Sequence, residues 1–142
     1  MKACVFCQII SREVPAAIVF EDDESLAFLD HRPVFPGHCL LVPKQHLDSL
    51  VDVEPPLLGK LFRDARLLAL AVERGLGAQG AFVAVNNRVS QSVAHMHIHV
   101  VPRTKGDGLK GFFWPRHKYR DPEHMEEVRR ALAEAMTTVR AA

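Results

Sequence analysis

The sequence predicts an α+β fold with a mostly antiparallel sheet. Three observations carry this reading. Short β-branched and aromatic runs recur along the chain. They fall into two hairpin-like pairs. A single long run of helical periodicity separates the pairs, so strands and helices do not alternate as they would in a parallel sheet.

The elements follow in order. "AAIVF" and "SLAFLD" read as two strands joined by the polar turn "EDDE", a hairpin over residues 16–30. "RPVFPGH" is a Pro/Gly loop, and "HCLLVPK" is a buried strand run ended by Pro43. Pro55 and Pro56 suit a first helical turn. Leu57, Leu58, Leu61, Phe62, Ala65, Leu68, Ala69 and Val72 then recur at helical spacing, giving a helix over 55–74 that stops at Gly75. "AFVAVNN" and "HMHIHVV" are the next strands. The tail opens on Asp121 as N-cap and Pro122 at the first position, with Met125, Val128, Leu132, Ala135, Met136 and Val139 in one apolar stripe of a helix over about 122–140. The N-terminal "MKACVFCQIISRE" is an apolar stretch cut short by Ser11, Arg12 and Glu13.

Bulk properties bound the function. The 142 residues and 48% apolar content fit one globular domain, 1–142. A net charge of +1, from 18 basic and 17 acidic residues, predicts no nucleic-acid partner and no polybasic membrane anchor. No run approaches a membrane span, and the N-terminal stretch is too brief for a signal peptide. The cysteines are Cys4, Cys7 and Cys39; an odd count with one C-x-x-C pair argues for a reducing, cytoplasmic setting rather than a disulfide framework.

The informative segment is "SVAHMHIHVVPR", residues 92–103. In a strand, alternate residues share a face at about 6.6 Å per step. His95, His97 and His99 therefore share a face, and Met96, Ile98 and Val100 take the core side. The imidazoles are expected on an exposed strand face. A surface strand that is His-rich by accident is the simplest reading, but the apolar register opposite speaks against it. Two histidines at this spacing can bind zinc with a third ligand and an open position. Alternatively, one imidazole attacks covalently while the others orient it or bind phosphate charge. Spacing alone does not separate these two. The flank "NNRVSQS" offers amide and hydroxyl donors suited to phosphate oxygens. The closest upstream carboxylate in the chain is Glu73.

"HMHIHVV" resembles the signature of the histidine triad (HIT) family. "CQIISREVPAAIVFEDDESLAFLD" resembles that family's N-terminal segment, "PGHCLLVPKQH" its central strand, and "SQSVAHMHIHVVPR" its most specific motif. The resemblance implies a small α+β fold with a five-stranded antiparallel sheet, a homodimer, and a purine nucleotide ligand. It implies hydrolysis at the α-phosphate through a nucleotidyl-histidine intermediate. Residues 1–103 correspond to the family core, and 104–142 form a C-terminal extension.

Roles carry over position by position. His97 matches the nucleophile, and a neutral imidazole has a free lone pair if its other nitrogen keeps its proton. His99 is expected to donate to a non-bridging phosphate oxygen. His38 matches a fourth histidine beside the nucleophile. Ser92 and Gln91 match the family's Q-S/T pair, with Ser92 assisting the leaving group or phosphate and Gln91 holding a phosphate oxygen. Asp30 matches the acid that accepts the ribose hydroxyls. Phe6 and Ile9 match positions lining the base pocket. The loop "NNRVSQS" is shorter than the family's Gly-rich version. Asn86, which ends its strand, is the expected phosphate-contacting asparagine, with Asn87 as the alternative. His31 follows Asp30 where an aliphatic residue is common, beside the base or ribose. The extension resembles bacterial members, and its Trp114 is a candidate to reach an active site.

The C-x-x-C pair reads as half of a structural zinc site, because two thiolates need two more ligands for a closed tetrahedron. His46, at the end of "VPKQH", is one candidate. His95 is the other, because His97 must stay free to attack. Several bacterial members and the related uridylyltransferases resemble this in having two N-terminal cysteines, a midchain histidine and the first triad histidine on zinc. Cys39 is expected to be an unliganded core thiol. Within the enzyme reading, "QSV" leans towards a nucleoside phosphoramidase and "HVVPRTKGDG" towards a dinucleoside polyphosphate hydrolase. His99 argues against the transferase branch, which carries Gln there. The rival class is a non-catalytic nucleotide- or zinc-binding interaction protein that kept the pocket.

Overall fold

A computed structural model describes residues 3–110 and 115–141. It divides into two compact units, Met1–Asp107 and Gly108–Ala142.

The first unit is built on five strands: β1 (Ile18–Glu21), β2 (Ser25–Leu29), β3 (Cys39–Pro43), β4 (Gly80–Ala84) and β5 (Ile98–Arg103). They lie in the order β1-β2-β3-β5-β4, and every neighbouring pair is antiparallel. β5 thus runs between β3 and β4, with His99 opposite Leu40 on one side and Ala84 on the other.

Period-2 alternation splits the sheet into two faces. Ala27, Cys39, Leu41, Ile98 and Val100 point to one side, where Leu61, Ala65 and Leu68 of helix α2 (Pro55–Leu76) cover them. Leu26, Phe28, Leu40 and Val42 point to the other, where Phe6 and Ile9 of helix α1 (Val5–Ile10) pack. α1 was not expected from the sequence, since six residues are too few for a periodic signal. α2 runs past Gly75 because the left-handed cap is Gly77, at φ 71°. The Gly77 and Ala78 amides close the last turn on the Glu73 and Val72 carbonyls. Lys60 of α2 bonds Asp22, Ser25 and Asp64, which pins the β1–β2 turn to the helix.

In the second unit, α3 (Pro122–Ala141) starts where expected. Asp121 caps it by accepting the His124 amide at 2.7 Å. Its apolar stripe, including Met125, Leu132, Met136 and Val139, is exposed. Trp114 lies outside the described residues.

Candidate functional site

The segment around the three histidines departs from the expected strand in two ways. First, β5 begins only at Ile98, so His95, Met96 and His97 precede it. The ladder has no partner there. Pro43 at the end of β3 has no N–H, and its carbonyl accepts the His95 Nε2–H at 2.8 Å. Second, the imidazoles are not on an exposed face. His95 is 0% and His97 3% exposed, because α1 closes over that side of the sheet. The alternation itself survives. Met96, Ile98 and Val100 join the cluster under α2, while the His97 and His95 rings meet the Phe6 ring edge-on at 5.1 and 5.9 Å.

The hydrogen bonds determine which nitrogen of each ring carries its proton. His97 Nδ1 lies 2.8 Å from the His95 carbonyl, which can only accept. Nδ1 is therefore protonated and Nε2 keeps its lone pair. His38 Nδ1 accepts the Val34 amide at 3.1 Å, so its proton sits on Nε2. That Nε2–H points at His99 Nδ1, 2.9 Å away. His99 Nδ1 is then the acceptor, and its Nε2 carries an N–H. The site presents one nucleophilic lone pair, on His97, beside one oriented donor, on His99; the two ring centroids are 5.0 Å apart.

Burial favours the neutral form of His99 and His38. It is the main cause that pushes His99 down to about 4, with the neighbouring His97 and His38 adding to it against the opposing pull of Asp30. Burial likewise lowers His38, and Asp30 opposes it. Asp30 Oδ2 lies 3.9 Å from His38 Nδ1, but that nitrogen is an acceptor, so the two do not form an ion pair. The other Asp30 oxygen accepts the Arg32 amide at 2.9 Å. The strand-end position of Asp30, the acid expected from the resemblance, brings its carboxylate to His38. Gly37 precedes His38 at φ +100°, and a Cβ there would meet Leu76 Cδ1 at 2.3 Å, so only glycine turns the chain here.

Other predicted residues lie on the loops. Ser92 and Asn86 are exposed on the loop between β4 and His95, and His31 is exposed after Asp30. Asn87 accepts the Leu50 amide at 3.0 Å. Gln91 donates to the Asp48 and Val93 carbonyls and accepts the Arg88 amide. A hollow of about 450 Å³ adjoins this loop, lined by Asp48, Ser49, Asp52, Arg88, Gln91 and Ala94.

Cys4, Cys7, His46 and His95 offer ligand atoms that all lie within 4.8 Å of one another. Cys4 is the N-cap of α1, and its Sγ accepts the Cys7 amide at 3.4 Å. The sulfurs face imidazole nitrogens: Cys4 Sγ to His95 Nδ1 at 3.4 Å, Cys7 Sγ to His46 Nδ1 at 3.2 Å and to His95 Nδ1 at 3.6 Å. A tetrahedral zinc with these ligands has S···N edges of about 3.5 Å. His95 gives its Nε2 proton to Pro43, and His46 Nε2 lies 2.9 Å from Asp48 Oδ1. Both rings thus turn a bare Nδ1 towards the sulfurs, the outer-shell pattern of metal-bound histidine. Burial and the neighbouring Cys4 sulfur push the Cys7 thiol up, a cost that a cation between the sulfurs removes. The four side chains fit zinc. Asp48 was missed in the sequence; its signal is the two-residue spacing in "HLD". Cys39 is buried in the cluster under α2, away from this set, as expected.

The family model of the HIT domain matches residues 11–106, which include His38, His46 and the three clustered histidines. A crystal structure of a HIT family member from Bacillus subtilis superposes at a TM-score of 0.81, with 32% identity over 94% of this chain and 96% of that one. A crystal structure of a Zn-bound histidine triad family protein from Mycobacterium smegmatis is 36% identical, with a TM-score of 0.73 over 96% of this chain and 97% of that one. Adenylylsulfatase HINT3 of Arabidopsis thaliana is 35% identical over 75% of this chain and 55% of its own length. By the match of its family model and of its fold, the chain belongs to the HIT domain family.

Proposed function

We propose that the protein hydrolyses purine nucleotide conjugates at the α-phosphate, with a nucleoside phosphoramidate or a dinucleoside polyphosphate as substrate. The observation that carries this is the tautomer chain. His97 Nδ1–H is tied to the His95 carbonyl, which leaves Nε2 as a nucleophile. In the first step Nε2 forms a bond to the α-phosphorus, and the bond from phosphorus to the leaving group breaks. The electron pair departs with the leaving group, and Ser92 assists its protonation. The His99 Nε2–H, aimed by His38, donates to a non-bridging oxygen as charge builds. Water then attacks the same phosphorus and gives up a proton to solvent, the P–N bond electrons return to Nε2, and the nucleoside monophosphate leaves with His97 regenerated. Asp30 accepts the ribose hydroxyls, Phe6, Ile9 and His31 flank the base, and Asn86 contacts phosphate.

Zinc on Cys4, Cys7, His46 and His95 has a structural role in this reading: it neutralises the thiolates and anchors α1 to the segment that carries His97. The whole chain, 1–142, acts as one HIT domain with a C-terminal extension. It works as a symmetric homodimer in the cytoplasm, without nucleic acid or membrane. Exposed Phe62, Leu67 and Leu76 on α2 and Val83 on edge strand β4 support the dimer, because these elements hold more apolar surface than one sheet face needs. A monomer mass by light scattering at micromolar concentration refutes it.

His97→Ala tests the mechanism. Turnover of an adenosine phosphoramidate should vanish while AMP binding remains. The variant also loses stability, since His97 is packed on Phe6 rather than solvated. Residual turnover above about one percent of wild type refutes covalent catalysis by His97. A nucleotidyl adduct trapped on a His99-substituted protein supports it directly. AMP binding with no turnover of either substrate class identifies a binding protein instead.

A further inference from the structure

We propose that Gln91 is a positioning residue, a clasp that holds the catalytic loop on the segment bearing the metal ligand His46, and that it acts through Ser92 rather than on the phosphate. The inference rests on the nucleotidyl-transfer reading above.

A phosphate oxygen at neutral pH needs a hydrogen-bond donor, and a glutamine amide has two N–H groups. Both are committed. Gln91 Nε2 lies 2.5 Å from the Asp48 carbonyl and 3.1 Å from the Val93 carbonyl. Its Oε1 accepts the Arg88 amide at 2.9 Å. The side chain therefore stitches together three backbone positions and has no N–H left for a ligand.

The loop needs such a stitch. Arg88 and Ser90 adopt left-handed φ angles of 71° and 59°, where a side chain is disfavoured. Each is strained and persists only where the surroundings over-determine it. Gln91 bonds the amide of Arg88 itself and so holds the strained residue directly. The far end of the clasp is equally fixed. Asp48, whose carbonyl receives Gln91, uses its carboxylate to hold His46. Asn87 takes the Leu50 amide, and the Met96 amide bonds the Leu47 carbonyl at 2.7 Å. Three ties thus join residues 87, 91 and 96 to residues 50, 48 and 47. Ser92 follows directly on the clasp, so its place relative to His97 depends on it.

The test uses the full-length zinc-loaded protein and two variants. Gln91→Ala removes the clasp. Gln91→Glu keeps the acceptor for Arg88, loses both donors, and adds a charge that a phosphate-binding role could not tolerate. In both variants kcat for the phosphoramidate should fall about tenfold or more, while the Kd for AMP stays within about threefold of wild type. Amide exchange at Arg88 should quicken about tenfold in Gln91→Ala. Combined with Ser92→Ala, the losses should be non-additive, the double variant being no slower than the worse single one. An AMP Kd raised more than about tenfold in Gln91→Glu overturns the proposal, as do fully multiplicative losses or unchanged kcat. A wild type that turns over no conjugate refutes the hydrolase reading instead, and the exchange and AMP arms still decide the clasp.

Discussion

Replacing His38 by Phe probes the step on which the tautomer chain depends. Phe keeps a ring of similar bulk at a site 4% exposed, so no cavity opens. What it removes is the Nε2–H that meets His99 Nδ1 at 2.9 Å, and the acceptor for the Val34 amide. Without the first bond, His99 is free to move its proton to Nδ1 and to turn a lone pair towards the phosphate. A hydrogen bond of this kind contributes about 1–2 kcal/mol, so kcat should fall about 5- to 30-fold. KM should change little, because the donor matters most as charge develops. Separately, the lost Val34 bond should cost up to about 1 kcal/mol of stability, since Val34 is exposed and its amide can turn to water. His38→Gln restores an N–H at similar reach and should recover part of the rate. The assay is steady-state turnover of an adenosine phosphoramidate near pH 7.5 beside thermal unfolding of the same samples. A melting point that drops while kcat stays within twofold refutes the relay and leaves His38 as packing alone.

Three further outcomes follow from the same geometry. Elemental analysis should find about one zinc per chain, and chelation should lower the melting temperature more than it lowers the rate; zinc-free protein purified without chelator, or metal held by His97 and His99, refutes the assignment. Stability should decline as pH falls from about 6.5 to about 4. His99 is pushed down to about 4 when folded, so across that window the unfolded chain binds more protons, and the loss levels off below it. The group accounts for at most about 3 kcal/mol, read as the difference in urea unfolding between wild type and His99→Gln, and equal pH slopes in the two proteins contradict it. Light scattering should give twice the chain mass, an outcome that Leu67→Asp on exposed α2 should weaken.

The amino-acid sequence by itself determined the strand pairs, the long helix and the residues of both clusters. Those features are local: period-2 alternation in "SLAFLD" and "HCLLVPK", period-3.6 spacing after Pro55, the H-x-H-x-H run at 95–99 and, separately, the C-x-x-C pair at 4–7. The tertiary structure decided what the clusters can do. Only the fold brings α1 over the sheet, which buries His95 and His97 instead of exposing them. Only the fold supplies the partners that set each tautomer, namely the His95 and Pro43 carbonyls and the Val34 amide, because backbone groups carry no signature in the sequence. The same holds for Asp30, Asp48 and Gln91, whose polar atoms meet groups up to 43 positions away. Pattern along a chain reports which face a side chain takes. Which nitrogen holds the proton depends on what lies within about 3 Å, and chain folding alone sets that distance.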